Sequence, residues 1–458
     1  MAVKRHEIDM CNGSLGPKIL AFSLPLMASS ILQLLFNAAD VIVVGRFASD
    51  ASLAAVTSTG SLVNLLVNLF MGLSIGANVV VAQAIGHNDT QRTERAVHTS
   101  LLVSLISGLL LMVIGFFAAR QLLEWMSSPE NVIELSSLYL RIYFLGMPAS
   151  LFYNFGSALL RAVGDTRRPL NYLSLAGIVN VCLNLLLVIV FHLDVAGVAI
   201  ATITSQYISA ALVLRCLLRE SGPLHLELRQ LRIDREIFLS IVRIGLPAGF
   251  QGVVFSLSNV VIQSSINSFG DIVMAGSGAA ANIEGFVYMG MNAFYQSCLT
   301  FTSQNYGAGK RDRVDKTLLW CQLYVVVTGL LLGNLAYFFG PQLLGVYTPS
   351  ADVAAQGMVR LLYVCVPYFL CGIMDVMVGS LRGLGWSVAP MIVSVVGACG
   401  LRLLWVATVF QFYRTPRCLY ISYPITWVVT GAVHILCFLV IRKRVYARME
   451  AAAELVNN

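Results

Sequence analysis

Charge is scarce in this chain. Of its 458 residues, 12% are Asp, Glu, Lys or Arg and 57% are hydrophobic, whereas a soluble domain carries about 25% charged residues. That leaves no room for a large soluble domain, and the mean hydropathy of +0.78 points to a polytopic membrane protein. CxxC spacing is absent. Most of the ten cysteines sit in apolar runs (Cys182, Cys298, Cys321, Cys365, Cys371, Cys399, Cys437), so they read as small buried hydrophobes, not as a metal site or disulfide framework. The segment MAVKRHEIDMCNGSLGPK lacks the apolar region and cleavage site of a signal peptide. No HExxH, P-loop or GxSxG motif occurs, which argues against an enzyme. With no ATPase element, any pumping must draw on an ion gradient. The net charge of +7 does not imply nucleic acid, because the basic residues form short clusters between apolar runs.

What the chain has instead is apolar runs of spanning length. They fall near 19–44, 56–84, 96–118, 136–159, 170–191, 195–218, 237–268, 275–304, 317–339, 355–381, 387–411 and 419–441. Each can cross a core about 30 Å thick as a helix. The expectation is twelve transmembrane helices, with Pro25 and Pro247 kinking the first and seventh. Orientation follows from the basic clusters. Lys4, Arg5 and Lys18; Arg92 and Arg95; Arg161, Arg167 and Arg168; five arginines over 215–235; Lys310, Arg311, Arg313 and Lys316; Arg382; and Arg442, Lys443, Arg444 and Arg448 share one side. Only Arg46, Arg120, Arg414 and Arg417 lie in the opposite loops. The positive-inside rule places both termini in the cytoplasm.

The chain also repeats itself. Leu24-Pro25 and Asn37 recur 222 residues later as Leu246-Pro247 and Asn259. Gln83, Gly86, Arg161, Gly164 and Pro169 recur 221 residues later as Gln304, Gly307, Arg382, Gly385 and Pro390. Six spans per half is an even number, so the halves enter the membrane in the same direction, as a parallel repeat. The expected organisation is an N-lobe over 1–218, a cytoplasmic linker over 219–236 and a C-lobe over 237–458. The linker leucines (Leu224, Leu226, Leu228, Leu231) suit either the membrane surface or a plain tether, and the tether is the simpler reading.

Ionisable residues inside spans cost roughly 2.5–3.5 kcal/mol on insertion scales, and they face a bundle interior or a water-filled cavity. The stretch Leu24–Phe47 holds Gln33, Asn37 and, deep in the run, Asp40. Asp40 either fixes helix packing against a hydrogen-bond donor or binds an ion or proton. Glu284, Asp375 and Arg402 lie in the eighth, tenth and eleventh spans, and Arg402 is placed to neutralise either acid or to pair within the bundle. Asn180 and Asn184 share a helical face at i, i+4, and Thr202 follows in the sixth span. Amides, a hydroxyl and one carboxylate make an all-oxygen set suited to a hard cation, although Asn and Thr also act simply as glue between helices. His434 reads as a packed core residue.

These features resemble the multidrug and toxic compound extrusion (MATE) transporters over nearly the whole chain. The carrying motifs are Pro25-x7-Gln33-x6-Asp40 in the first span, the Gln83-A-I-Gly86 end of the second span, LLRAVGDTRRP at 159–169, Asn180-x3-Asn184, and Gly197-x4-Thr202. The resemblance implies an all-α protein of two six-helix lobes in a V around a central cavity. It implies a secondary antiporter exporting organic, often cationic, compounds in exchange for H⁺ or Na⁺. It maps a cation site onto Asp40, Asn180, Asn184 and Thr202, a metal site only if Na⁺ is the ion. It leaves Glu284, Asp375, Arg402, Asn259, Gln33 and Asn37 as possible substrate contacts. Some members have aspartate where Asn184 stands, so this site has one carboxylate fewer. Many carry glutamate eight residues after the seventh-span proline, where this chain has Phe255; Glu284 and Asp375 are the available substitutes. No cofactor beyond the coupling ion is expected. The expected setting is a bacterial inner membrane, with a monomer, small organic substrates and lipid as partners, and no nucleic acid. The rival reading is a flippase for lipid-linked saccharides on the same two-lobe plan; a basic cavity would favour it.

Overall fold

Long apolar runs leave the backbone one way to satisfy its N–H and C=O groups in hydrocarbon, which is to bond within a helix. The computed structural model describes residues 7–125 and 130–457, and among them there is no strand. Lys4 and Arg5, used in the orientation argument, lie outside the described residues. The first half of the chain runs α1 (Leu15–Phe47), α2 (Asp50–Gly86), α3 (Thr90–Trp125), α4 (Glu130–Leu145), α5 (Met147–Ala162), α6 (Arg167–Asn184) with a π turn at Leu185–Val190, and α7 (Asp194–Arg219). The second half runs α8 (Arg235–Asn267), α9 (Asp271–Gly307), α10 (Arg311–Phe338), the short α11 (Gly340–Tyr347), α12 (Ala351–Arg360) and α13 (Phe369–Gly383). It closes with α14 (Val388–Ser394), α15 (Leu401–Ala407), α16 (Val409–Phe412) and α17 (Pro416–Asn457).

Among the described residues, ten helical passes are long and apolar enough to cross a membrane. The other two of the expected twelve are the α4–α5 pair and α9. The expected fourth span is split at Gly146, because Pro148 has no N–H to continue the helical ladder. Its repeat counterpart breaks in the same place, between α12 and α13, where Val366–Tyr368 forms a 3-10 turn around Pro367. α9 is diluted by Glu284 and by many small polar residues. Helix assignment runs without interruption through Pro25 and Pro247.

The repeat is visible in the backbone. α2 and α9 each span 37 residues, and α1 and α8 each span 33. Gly164 and Gly385, which correspond in the repeat, both take left-handed φ, +90° and +85°. On α3, Leu110, Val113, Ile114 and Phe117 form an outward apolar stripe, Phe117 at 77% exposure; such a stripe in water would be an aggregation liability, and in lipid it is solvated.

Contacts divide the chain into two compact units. The first is Ala28–Gly249 with the residues up to Ile8; the second is Asp9–Met27 with the residues from Phe250 on. The beginnings of α1 and α8 thus pack in the unit opposite to the rest of their helix. In the first unit, α8 lies against α2 backbone to backbone. A Cβ on Gly72 would sit 2.2 Å from the Gly249 nitrogen, and one on Gly76 would sit 2.3 Å from the Ile241 carbonyl oxygen. Gly72-x3-Gly76 and Gly245-x3-Gly249 are small-residue seams of the kind that let membrane helices approach closely. In the second unit α1 meets α9 through Ser23 Oγ and Ser297 Oγ, 2.6 Å apart, and through an edge-to-face contact of Phe22 with Phe301.

The segment before α8 is not the plain tether expected. Leu224 and Leu226 are 3% and 2% exposed, the Leu226 N–H donates to the Leu217 carbonyl at 3.1 Å, and the segment is bonded to α3. Burying the two leucines and satisfying the backbone beats leaving both in water. Among the cysteines, Cys298, Cys321, Cys365, Cys371 and Cys399 are buried as expected, but Cys182 is exposed on the outward face of α6.

Candidate functional site

Asp40 sits on α1 near an apolar collar that includes Val43, Val44, Val188, Val195 and Val198. It is brought together with Asn180 and Asn184 from the end of α6 and Thr202 from α7. The i, i+4 spacing puts both amides on one face, and the π turn begins directly after Asn184. Asn184 Nδ2 donates to Asp40 Oδ1 and, at 3.2 Å, to Asn180 Oδ1. Thr202 Oγ1 lies 3.4 Å from Asp40 Oδ2 and 2.9 Å from the Val198 carbonyl oxygen. Its single proton favours the shorter bond. Asn184 and Asn180 are buried, at 0% and 4% exposure. Asn184 Oδ1 is buried without a hydrogen-bond partner. Among the described residues no ion pair reaches Asp40.

Two further side chains border this group and were missed by sequence reasoning. Tyr139 and Tyr143 of α4 stack at 5.9 Å, both within electrostatic reach of Asp40, and Tyr143 lies beside Gln206. Gln206 stands one turn beyond Thr202 on α7, so the Thr202-x3-Gln206 spacing was the available signal. Carboxylate, amides and hydroxyl supply oxygen ligands and proton acceptors. They supply no activated nucleophile and no acid–base pair.

The second unit handles its acids differently. Glu284 is met by Arg360, with Nε to Oε1 at 2.7 Å and Nη2 to Oε2 at 2.9 Å, and Arg360 also donates to Ser277 Oγ at 2.7 Å. This corrects the expectation that Arg402 neutralises an acid. Arg402 instead lies 4.0 Å over the Tyr423 ring and donates to Thr426 Oγ1 at 3.3 Å. The reason is geometric: α9 packs against α12, which carries Arg360, while Arg402 on α15 is turned to α17. Asp375 faces the Tyr288 hydroxyl, with Arg382 within electrostatic reach. Arg382 bonds Tyr295 and Gln251 at 2.7 and 2.9 Å. Gln33, Asn37 and Asn259 are exposed on their helices, and among the described residues no hydrogen bond ties them to these groups. His434 is fully buried and bonded to Ser394 at 3.0 Å, as a packed core residue.

The MatE family model matches residues 25–186 and 247–407, one segment in each half of the repeat. Probable multidrug resistance protein YoeA of Bacillus subtilis (strain 168) is 27% identical over 421 residues, covering 89% of this chain and 90% of that protein. An FAD transporter of Shewanella oneidensis is 24% identical, covering 93% and 94%. The fold matches a solved multidrug resistance MATE family transporter of the MOP superfamily in an outward-facing conformation, with a TM-score of 0.90 at 22% identity over 97% of this chain and 99% of that one.

Proposed function

This chain belongs to the MatE family of multi-pass membrane transporters, and on that premise we propose that it is a secondary antiporter. It exports organic cations from the bacterial cytoplasm across the inner membrane, with both termini cytoplasmic, as a monomer. Asp40 is the coupling carboxylate, and Asn180, Asn184 and Thr202 are its neutral ligands. One observation carries this reading: Asp40 is held among an amide and a hydroxyl, with no cationic partner among the described residues. A carboxylate so placed is costly to keep charged, and taking up a cation relieves that cost.

Coupling requires each ligand to prefer a different arrangement of the helices. The ion prefers the state in which Asp40 is enclosed, and cargo prefers the other. An imposed potential supplies about 2.3 kcal/mol per charge per 100 mV. The coupling ion is H⁺, with Na⁺ competing at the same carboxylate. Sodium asks for several oxygen ligands, and the group offers one carboxylate and three neutral side chains. Asn184 Oδ1, buried without a donor, is the oxygen it would recruit.

The test is export from proteoliposomes under separately imposed H⁺ and Na⁺ gradients. A pH gradient alone should drive export of a lipophilic organic cation in sodium-free vesicles, and Asn184→Asp should strengthen sodium dependence several-fold. Export that stays absent without sodium at every pH gradient makes Na⁺ the ion. Export of FAD or a lipid-linked saccharide, with no organic cation carried, overturns the cargo class. For the topology, a cysteine replacing Ser221 should react with an impermeant maleimide only after cells are opened.

A further inference from the structure

The segment joining α7 to α8 is clasped to the start of α3 by several bonds, among them Thr99 Oγ1 donating to the Arg232 carbonyl at 3.4 Å. The Glu227 N–H donates to His98 Nε2 at 3.1 Å. The Asp234 N–H donates to Thr99 Oγ1 at 3.1 Å. Arg95 pairs with Asp234 at 3.2 Å. His98 is 5% exposed, and its other ring nitrogen, Nδ1, lies 2.7 Å from the Glu94 carbonyl oxygen. A carbonyl only accepts and a backbone N–H only donates, so the two contacts require Nδ1–H and a bare Nε2. The neutral ring fits both; the protonated ring fits only one.

We propose that this clasp is a proton-sensitive latch on the segment leading into α8, closed when His98 is neutral and released when Nε2 takes a proton. A proton on Nε2 would face the Glu227 N–H, donor against donor. The charged and titratable groups around His98 are Glu94 and Arg95 on its own helix and Glu220, His225, Glu227, Arg232 and Asp234 on the segment. Only the two imidazoles belong to a side-chain type that ordinarily titrates between pH 5 and 8. His225 is bonded through Nδ1 to the Glu220 carbonyl at 3.0 Å, a bond that survives protonation at its other nitrogen. Asp234 is held below the usual carboxylate range, chiefly by the Ile237 backbone N–H and then by Arg95 against some desolvation, so it stays charged through that window.

The second unit contains an internal control. Its leading segment, before α1, is clasped by Lys310 to the Cys11 carbonyl at 2.8 Å and by Arg313 to the Met10 carbonyl at 2.9 Å, with no imidazole in either contact. The inference is independent of cargo and coupling ion.

The experiment is hydrogen exchange of the full chain in lipid nanodiscs between pH 7.5 and 5.5, corrected for the intrinsic rate. Protection of the Glu227 amide should fall about fivefold to tenfold on acidification, the worth of one backbone hydrogen bond, while the Cys11 and Asn12 amides should not change. His98→Asn should make Glu227 protection independent of pH, and His225→Asn should leave the fall intact. A flat wild-type profile, a fall that survives His98→Asn, or one abolished by His225→Asn would each overturn the latch. If His98→Asn does not fold, ¹⁵N spectra of the wild-type ring decide. Charging of His98 in step with the loss of protection supports the latch; charging without that loss refutes it.

Discussion

The two units share a backbone plan and treat a carboxylate inside a long helix in opposite ways. In the first, among the described residues, Asp40 bonds an amide and approaches a hydroxyl. In the second, Glu284 is closed by a bidentate arginine that is itself tied to Ser277. At the repeat offset, Asp40 corresponds to Ile262 and Thr202 to Tyr423, both members of an apolar and aromatic cluster with Trp427. The repeat therefore carries helix lengths and turns but not the carboxylate site. A paired carboxylate has its counter-ion built in, and its role is structural. One with neutral partners can take up a cation, which is the exchange role proposed for Asp40.

The largest effect expected from this contrast is on transport. Asp40→Asn should reduce gradient-driven export in proteoliposomes to background, in protein that still runs as a single folded species. Asp375→Asn in the second unit should keep a measurable part. Loss with Asp375→Asn and retention with Asp40→Asn would reverse the comparison.

Next is the ion pair. Glu284→Gln should destabilise the protein by about 3–5 kcal/mol, because it strands Arg360 as a buried unpaired charge. Glu284→Gln with Arg360→Met should recover most of that loss. Thermal unfolding in detergent reads both, and a Glu284→Gln protein of unchanged stability that fails to transport would move Glu284 from a structural role to an exchange role.

The helix crossings sharpen the comparison at smaller scale. Gly76→Leu places a side chain against the Ile241 backbone, which has no rotamer to yield, and should cost about 1–3 kcal/mol. Ser23→Ala, at the matching crossing, removes one hydrogen bond and should cost about 1 kcal/mol. Equal losses in the same unfolding assay would mean that the two crossings are built alike.

The smallest effect concerns Asp234. Its folded-state pKa lies below the ordinary value, first through the Ile237 N–H and, against desolvation, through Arg95. Its contribution is therefore present above the ordinary aspartate range and is lost as pH falls through the lowered value. Asp234→Asn should weaken the protein slightly at neutral pH, and the difference should vanish toward about pH 3. A difference that persists in acid would mean that the carboxylate acts through shape and not charge.

By itself the sequence determined the apolar passes, the two halves and the shared helical face of Asn180 and Asn184, while the grouping of that face with Asp40 and Thr202 was implied by the family resemblance. These are legible because hydropathy is a local sum, helical facing is a local period and a repeat shows in register. The Gly72-x3-Gly76 and Gly245-x3-Gly249 seams were equally local and went unread. Only the tertiary structure decided that Glu284 takes Arg360, 76 residues away, and not Arg402. Only it showed that α1 and α8 each divide between units, and that the segment before α8 is fastened to α3 through His98 and Thr99. Each of these depends on which faces meet. A side chain reaches only a few ångströms, so a buried charge takes the partner that packing delivers, and spacing along the chain carries no record of that choice.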